Sequence, residues 1–93
     1  MPELDNALDK IEEHRAQIDE LDQHIVQLLN ERAVHSLTIR EFKSQANKGL
    51  YDPQREEEIL QKVAEINEGP LYGEHLREIY TTILKVMKEA PSL

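Results

Sequence analysis

One arginine lies where the spacing of apolar residues predicts a buried aliphatic side chain. The first half of the chain carries apolar residues at helical intervals, and this apolar stripe consists of Leu8, Ile11, Ile18, Leu21, Ile25, Leu28, Ile39 and Phe42. Arg32 lies within the stripe. Because a guanidinium stays charged at any ordinary pH and is costly to bury alone, the pattern predicts that Arg32 meets an acid. That acid is either a glutamate of the protein or a carboxylate of a ligand.

Lys43 and Arg15 are two further cations on the same predicted helix. Lys43 follows Arg32 by eleven residues, which returns it to within about 20° of the same helix face at about 100° per residue. Arg15 precedes Arg32 by seventeen residues, which leaves it about 100° around the axis and roughly 25 Å along it. Arg15 therefore reaches the same pocket only if it comes from a second, antiparallel copy of the chain.

Residues 52–56 are predicted to close this pocket. Asp52 can cap a new helix, and Pro53 suits its first position. Arg55 and Glu56 then lie in the first turn, beside the cap. Together with the cations of the first helix, Arg55 and Glu56 predict a buried cavity surrounded by fixed positive charge, with Glu56 as the single acid among its walls.

Structural interpretations of the same residues stay open. Arg32 can instead pair with Glu31 or Glu12 across a helical seam. The other cations can be solvated surface charges, and the aspartate can be only a cap. The four histidines show no metal-binding pattern, and there is no cysteine, phosphate loop or nucleophilic serine motif. Covalent and metal chemistry are therefore disfavoured, and no cofactor is expected.

The elements that would position these residues are three helices, which predicts an all-α fold. No glycine or proline occurs from about Asp5 to Ser44, which favours one long helix. A polar loop is predicted over 45–51. A second helix follows, with an inner face of Ile59, Leu60, Val63 and Ile66, and residues 67–70 stop it. A third helix begins near Gly73 and ends before Pro91, with inward-facing Leu76, Ile79, Tyr80, Ile83, Leu84 and Met87.

Size and charge limit the classes of function. The 93 residues predict one domain over 1–93. A first helix of about 60 Å exceeds the roughly 30 Å of a compact monomer, so a homodimer is predicted. The 19 acidic and 11 basic residues give a net charge of -8, which disfavours nucleic acid. No signal peptide or membrane span is expected, and the lack of cysteine agrees with a cytoplasmic location.

The order of these motifs resembles a known family. The run LLNER at 28–32, then Ile39, Lys43 and the run YDPQRE at 51–56, resembles the all-helical class of chorismate mutase. The runs NEGPL at 67–71 and LREIY at 76–80 most resemble the version that is fused to, or associated with, DAHP synthase. The resemblance covers nearly the whole chain.

The resemblance implies an isomerase of the shikimate pathway that serves aromatic amino-acid biosynthesis. In that family an intertwined homodimer of three-helix chains converts chorismate to prephenate, a unimolecular pericyclic reaction without a cofactor or covalent intermediate. The substrate is a dianion whose ether oxygen gains negative charge as its bond breaks. Fixed cations would hold its compact conformer and stabilise the developing charge.

The same resemblance assigns a role to each candidate site residue. Arg15 of the neighbouring chain and Arg32 would bind carboxylates, and Lys43 would bridge a carboxylate and the ether oxygen. Asp52 and Glu56 would orient the ring hydroxyl. A further arginine of the family's pocket matches Arg55. The residues implied in catalysis are Lys43, Arg32 and Glu56.

The third helix departs from the family's pattern. The family usually has a small or hydroxyl-bearing residue at the position of Met87, and a glutamine or glutamate at that of Pro91. Neither residue of this chain donates a side-chain hydrogen bond. Loss of one such donor can cost on the order of a hundredfold in rate, so low intrinsic activity is expected. Lys88 can substitute if the helix frays or shifts.

Two other functions stay open. Isochorismate-pyruvate lyase shares the fold and the cationic pocket, and an assay with isochorismate separates it from a mutase. The second is a non-catalytic dimer that binds a chorismate-pathway acid, or a partner such as DAHP synthase, and acts in regulation. The missing donor at Pro91 favours this second alternative modestly.

Overall fold

The computed structural model of the chain describes residues 1–49 and 51–91. Within them there are three helices and no strand: α1 spans Pro2–Gln45, α2 spans Pro53–Ile66 and α3 spans Gly73–Glu89. The predicted all-α, three-helix fold is therefore confirmed. The predicted loop over 45–51 includes residue 50, which lies outside the described residues, while its first residue still belongs to α1.

The first helix is long because nothing inside it interrupts the backbone hydrogen bonds. Its single proline, Pro2, occupies the first position, where the missing amide costs no helical hydrogen bond. The chain forms two compact units, Met1–Arg32 and Ala33–Leu93, and α1 contributes to both. In the described residues no helix combines the length and apolar composition needed to cross a bilayer.

The apolar stripe of α1 is exposed in the single chain, and its burial was predicted only together with a second copy. Its members are between 46% exposed, at Ile11, and 62% exposed, at Phe42. The residue of α1 that is buried is Leu37, at 7% exposure, which the stripe does not include. Burial of a helix face requires a neighbouring element, and the homodimer that was predicted to supply it stays a prediction.

The second and third helices pack against each other as a helical hairpin. Val63 of α2 and Met87 of α3 are buried in the core. The start of α3 lies against α2, since a Cβ atom at Gly73 would be in van der Waals contact with the Cβ atom of Ala64, at 3.4 Å. Val63 and Met87, both predicted to face inward, are thus correctly placed in the core.

Two residues predicted to face inward are exposed. Ile66, the last residue of α2, is 65% exposed. Ile79 is 46% exposed, and it lies at the edge of the apolar face of α3, on the same side as the exposed Val86. The inner faces are therefore narrower than the spacing predicted.

Candidate active site

The first turn of α2 carries the most compact group of predicted site residues. Asp52 is the N-cap, and its Oδ1 accepts a hydrogen bond from the backbone N of Arg55 at 3.1 Å. Its other oxygen, Oδ2, lies 3.8 Å from Nζ of Lys43. One carboxylate thus satisfies a free helix amide and faces a cation of α1 at the same time. The capping interpretation of Asp52 is therefore confirmed, and its role in a ligand site stays a prediction.

The end of α1 fixes the position of Lys43. Asn47 adopts a left-handed φ of 57°, and the backbone N of Lys48 donates to the carbonyl oxygen of Lys43 at 2.8 Å. The N of Asn47 donates to the carbonyl of Ser44 at 3.2 Å. This pair of bonds is a Schellman motif, which ends a helix with its last carbonyls satisfied. Lys43 therefore projects from an ordered last turn, with its side chain 26% exposed.

Glu56, in the first turn of α2, contacts a residue of the third helix. Its backbone N donates to the carbonyl oxygen of Asp52 at 3.1 Å, so the two acids lie one helical turn apart. Its Oε1 lies 2.6 Å from Nζ of Lys88, and the side chains of Glu56 and Lys88 are 29% and 57% exposed. The first turn of α2 is thus flanked by an ammonium group from α1 and another from α3.

Arg55 lies in this turn, but its side chain makes a different contact. Its guanidinium forms a 3.6 Å ion pair with Glu58, three residues along the same helix, and both side chains are exposed. Exposed pairs of this kind contribute little to stability. In the isolated chain the side chain of Arg55 therefore has the features of a surface charge.

Arg40 is a residue that the sequence patterns did not single out. Its guanidinium crosses from α1 to the end of α3 and donates to the carbonyl oxygens of Met87, Lys88 and Ala90 at 3.0, 3.0 and 3.2 Å. The last carbonyls of a helix have no partner within it. The sequence shows only that Ala90-Pro91 follows α3 in place of the glycine that commonly caps a helix, and this does not identify Arg40 as the partner.

The positions of Met87 and Pro91 agree with the expectation that neither residue donates a hydrogen bond from the third helix. Met87 is 8% exposed, and its side chain is part of the core. Pro91 lies beyond the end of α3 at Glu89. Neither residue offers a donor to the first turn of α2. Lys88 does reach that turn, and it does so from an intact helix, without the fraying or shift that the sequence interpretation invoked.

Arg15 and Arg32 belong to the N-terminal unit, Met1–Arg32. Arg15 forms a 2.8 Å ion pair with Glu12, three residues earlier, and both side chains are exposed. Glu12, considered as a partner for Arg32 across a seam, thus bonds Arg15 within one chain. Arg32 is partly buried. The delivery of Arg15 to a neighbour's pocket is a property of a dimer and stays a prediction.

An open cleft of about 610 Å³ lies at the end of α1, lined by Arg40, Glu41, Ser44, Asn47, Lys48 and Gly49. It contains none of the predicted site residues. Within residues 1–49 and 51–91, no cluster of three or more histidine or acidic side chains is arranged to hold a metal ion. The residues of the charged first turn of α2 are not among those that line this cleft.

Comparisons with known sequences extend over most of the chain. The profile of the family "Chorismate mutase type II" matches residues 14–90. A bifunctional chorismate mutase/prephenate dehydratase of Aquifex aeolicus is 39% identical over 82 residues, which cover 83% of this chain and 22% of that protein. The Neisseria gonorrhoeae protein of the same description is 37% identical over 71 residues, covering 76% and 19%. The chain thus spans about a fifth of the length of these relatives.

Solved structures give the same result at the level of the fold. Form I of chorismate mutase from Thermus thermophilus superposes with a TM-score of 0.82 at 31% identity, covering 84% of this chain and 98% of that one. Form II gives a TM-score of 0.84 at 30% identity, covering 86% and 91%. Because the family profile matches residues 14–90 of the 93 and the fold of three helices agrees with these structures, the chain belongs to the chorismate mutase type II family.

Proposed function

We propose that this chain is a chorismate mutase, an isomerase that rearranges chorismate to prephenate in aromatic amino-acid biosynthesis. The observation that carries the proposal is the pairing of Lys43 with Asp52 at the first turn of α2, in a chain of this family. The names of the Aquifex aeolicus and Thermus thermophilus relatives support the activity. No cofactor takes part in the proposed reaction.

Lys43 is suited to bind the reacting part of a dianion. Its ammonium lies 3.8 Å from the carboxylate of Asp52, which is longer than a hydrogen bond, so this contact commits none of its three N–H donors. In the proposed complex Lys43 bridges a substrate carboxylate and the ether oxygen. A partly buried ammonium stabilises charge that develops on that oxygen more effectively than water does, because it is already oriented.

The two acids of the first turn are acceptors for a neutral group of the substrate. Carboxylates repel the substrate's own carboxylates but accept a hydrogen bond from a hydroxyl. Asp52 and Glu56 would therefore orient the ring hydroxyl, at the opposite end from the groups that Arg32 and Arg15 bind. Arg55 is proposed to line the pocket, which requires its side chain to leave Glu58, a surface pair of little strength.

The proposed active form is an intertwined homodimer in which Arg15 is shared across chains. The exposed apolar stripe of α1 supports this assembly, since its eight members are all at least 46% exposed in one chain. Covering such a face in a dimer removes apolar area from water, which is the main source of stability for small chains. We also propose that residues 1–93 act as a single domain, and that the protein works in the cytoplasm.

The proposal also includes association with a partner enzyme. The resemblance of residues 67–80 pointed to DAHP synthase, whereas the relatives that match carry a prephenate dehydratase. Association with DAHP synthase is therefore proposed on the resemblance alone. Co-elution of the two purified proteins, with and without chorismate, tests it.

A second candidate function is a non-catalytic regulatory dimer that binds chorismate-pathway acids. The burial of Met87 and the position of Pro91 beyond α3 favour it, because neither supplies a donor. Chorismate loss and prephenate formation, followed with purified protein, decide between the two functions. No rate above the spontaneous one at millimolar chorismate contradicts the mutase. Salicylate and pyruvate formed from isochorismate would instead identify a lyase.

A further inference from the structure

We infer that Lys88 is a further catalytic residue, whose ammonium contacts the dianionic substrate from the last turn of α3; this inference rests on the proposed function. The starting observation is the 2.6 Å ion pair between Nζ of Lys88 and Oε1 of Glu56. Both residues, together with Lys43 and Asp52, belong to the unit Ala33–Leu93.

The contact distinguishes Lys88 from its neighbour on the same helix. Lys85 lies three residues earlier and pairs with Glu89 of its own helix at 3.9 Å, with both side chains well exposed. Lys88 instead crosses to α2 and reaches an acid that is 29% exposed. The last turns of α3 thus contain one lysine directed at the candidate site and one that forms an ordinary surface pair.

The chemistry of the pair gives Lys88 two tasks. An uncompensated carboxylate on Glu56 would repel a dianion entering the site, and the ammonium of Lys88 cancels that charge. An ammonium group also has three N–H donors, of which one carboxylate oxygen occupies one, so two remain for substrate oxygens. At 57% exposure the side chain is accessible from solution.

The structure also explains how Lys88 is held. Arg40 donates to the carbonyl oxygens of Met87 and Lys88 at 3.0 Å each, so the backbone that carries the lysine is tied to α1. Met87 is packed in the core immediately before it. Arg40 is therefore a positioning residue for Lys88, and the lysine is the donor that this end of α3 presents to the first turn of α2.

The test compares three single variants of the full chain: Lys88→Met, Lys88→Gln and Lys85→Met as the matched control. Steady-state kcat and KM are measured with chorismate, and thermal unfolding verifies that each variant is folded. Lys88→Met should lower kcat about tenfold or more, as expected for a lost charge-assisted hydrogen bond. Lys88→Gln, which keeps a donor, should retain more of kcat. Lys85→Met should change kcat less than about twofold, because its exposed pair contributes little.

A double variant separates substrate contact from simple neutralisation of Glu56. If Lys88 only cancels the acid's charge, Glu56→Gln in the Lys88→Met background restores kcat to that of Glu56→Gln alone, which would overturn the inference. If Lys88 contacts the substrate, the double variant stays about tenfold or more below Glu56→Gln. An equal kcat for wild type and Lys88→Met would also overturn it.

Calorimetric binding of chorismate distinguishes failure of this inference from failure of the proposed function. If the wild-type chain shows no turnover, the proposed mutase activity is contradicted. A loss of chorismate affinity of about tenfold in Lys88→Met, but not in Lys85→Met, would still support a contact between Lys88 and the substrate. Equal affinities in all three proteins, in a chain without turnover, would overturn both.

Discussion

Lys43 and Asp52 meet across the loop between α1 and α2, with Nζ 3.8 Å from Oδ2, while the other oxygen of Asp52 caps α2. A single carboxylate therefore joins the end of one helix to the start of the next. Because the cap fixes the carboxylate and the Schellman motif fixes the turn that carries the lysine, this part of the site is ordered before any ligand binds. Preorganisation of this kind lowers the cost of orienting charges during a reaction.

The two functions of Asp52 can be separated by substitution. Asp52→Asn keeps a side-chain oxygen that can cap α2 but removes the charge that faces Lys43, so the free energy of unfolding should change little. Asp52→Ala loses the cap and should lower the free energy of unfolding by about 1 kcal/mol. Urea unfolding monitored by circular dichroism measures both. Equal stability of the two variants would show that the cap contributes nothing.

Lys43 should be the residue of the unit 33–93 whose removal costs the most activity. Lys43→Ala removes a preorganised cation from the position where negative charge develops, so kcat/KM for chorismate should fall on the order of a hundredfold or more. Lys62→Ala is the control, because Lys62 is an exposed lysine of α2. A decrease of less than about threefold in Lys43→Ala would contradict the proposed role.

Much of the fold could be predicted from local signals in the sequence. Residues 5–44 contain no helix breaker, Asp52-Pro53 marks the start of α2, and Pro91 limits α3, so the three helices were located to within a few residues. These signals act over one or two helical turns. The capping role of Asp52 could also be predicted from local sequence, because its capping bond joins it to the residue three positions later.

The rest of the fold and of the candidate site depends on tertiary contacts, which the spacing of residues within one helix does not predict. Arg40 bonds carbonyl groups 47 to 50 residues away, and those acceptors are backbone atoms without a side-chain signature. Leu37 is buried although it lies outside the apolar stripe, because tertiary packing decides which face of α1 is covered. The pairing of Lys88 with Glu56 likewise depends on how α3 packs against α2.

Arg40 should stabilise the end of α3. Arg40→Met removes three hydrogen bonds to helix carbonyls. Two of them share one guanidinium nitrogen and are not additive, so we expect a loss of about 2 kcal/mol or more in unfolding free energy, since one bond from a charged group contributes about 1.5–3 kcal/mol. Arg55→Met, which removes only an exposed pair, should cost less than about 1 kcal/mol. Hydrogen exchange of the amides over 85–89 should accelerate in Arg40→Met alone. Unchanged exchange there would contradict the assignment.

The sharing of Arg15 between chains can be tested by mixing two inactive variants. Arg15→Ala and Lys43→Ala each damage both sites of the proposed homodimer. In a mixed dimer one site receives both substitutions and the other receives neither, because Arg15 comes from the opposite chain. After unfolding and refolding an equimolar mixture, half of the dimers should be mixed, which should restore about a quarter of the wild-type activity.

The control for this mixing test places both substitutions on one chain. The double variant and wild type are mixed in equal amounts. If Arg15 acts within its own chain, each mixed dimer contains one intact site. If Arg15 acts across chains, each mixed dimer contains two sites that carry one substitution each. Activity of the first mixture above the sum of its two parent variants therefore requires Arg15 in trans. If the mixture of the two single variants stays at the parents' level while native mass spectrometry shows that mixed dimers form, Arg15 is not a shared residue, and its exposed pair with Glu12 is its structural role.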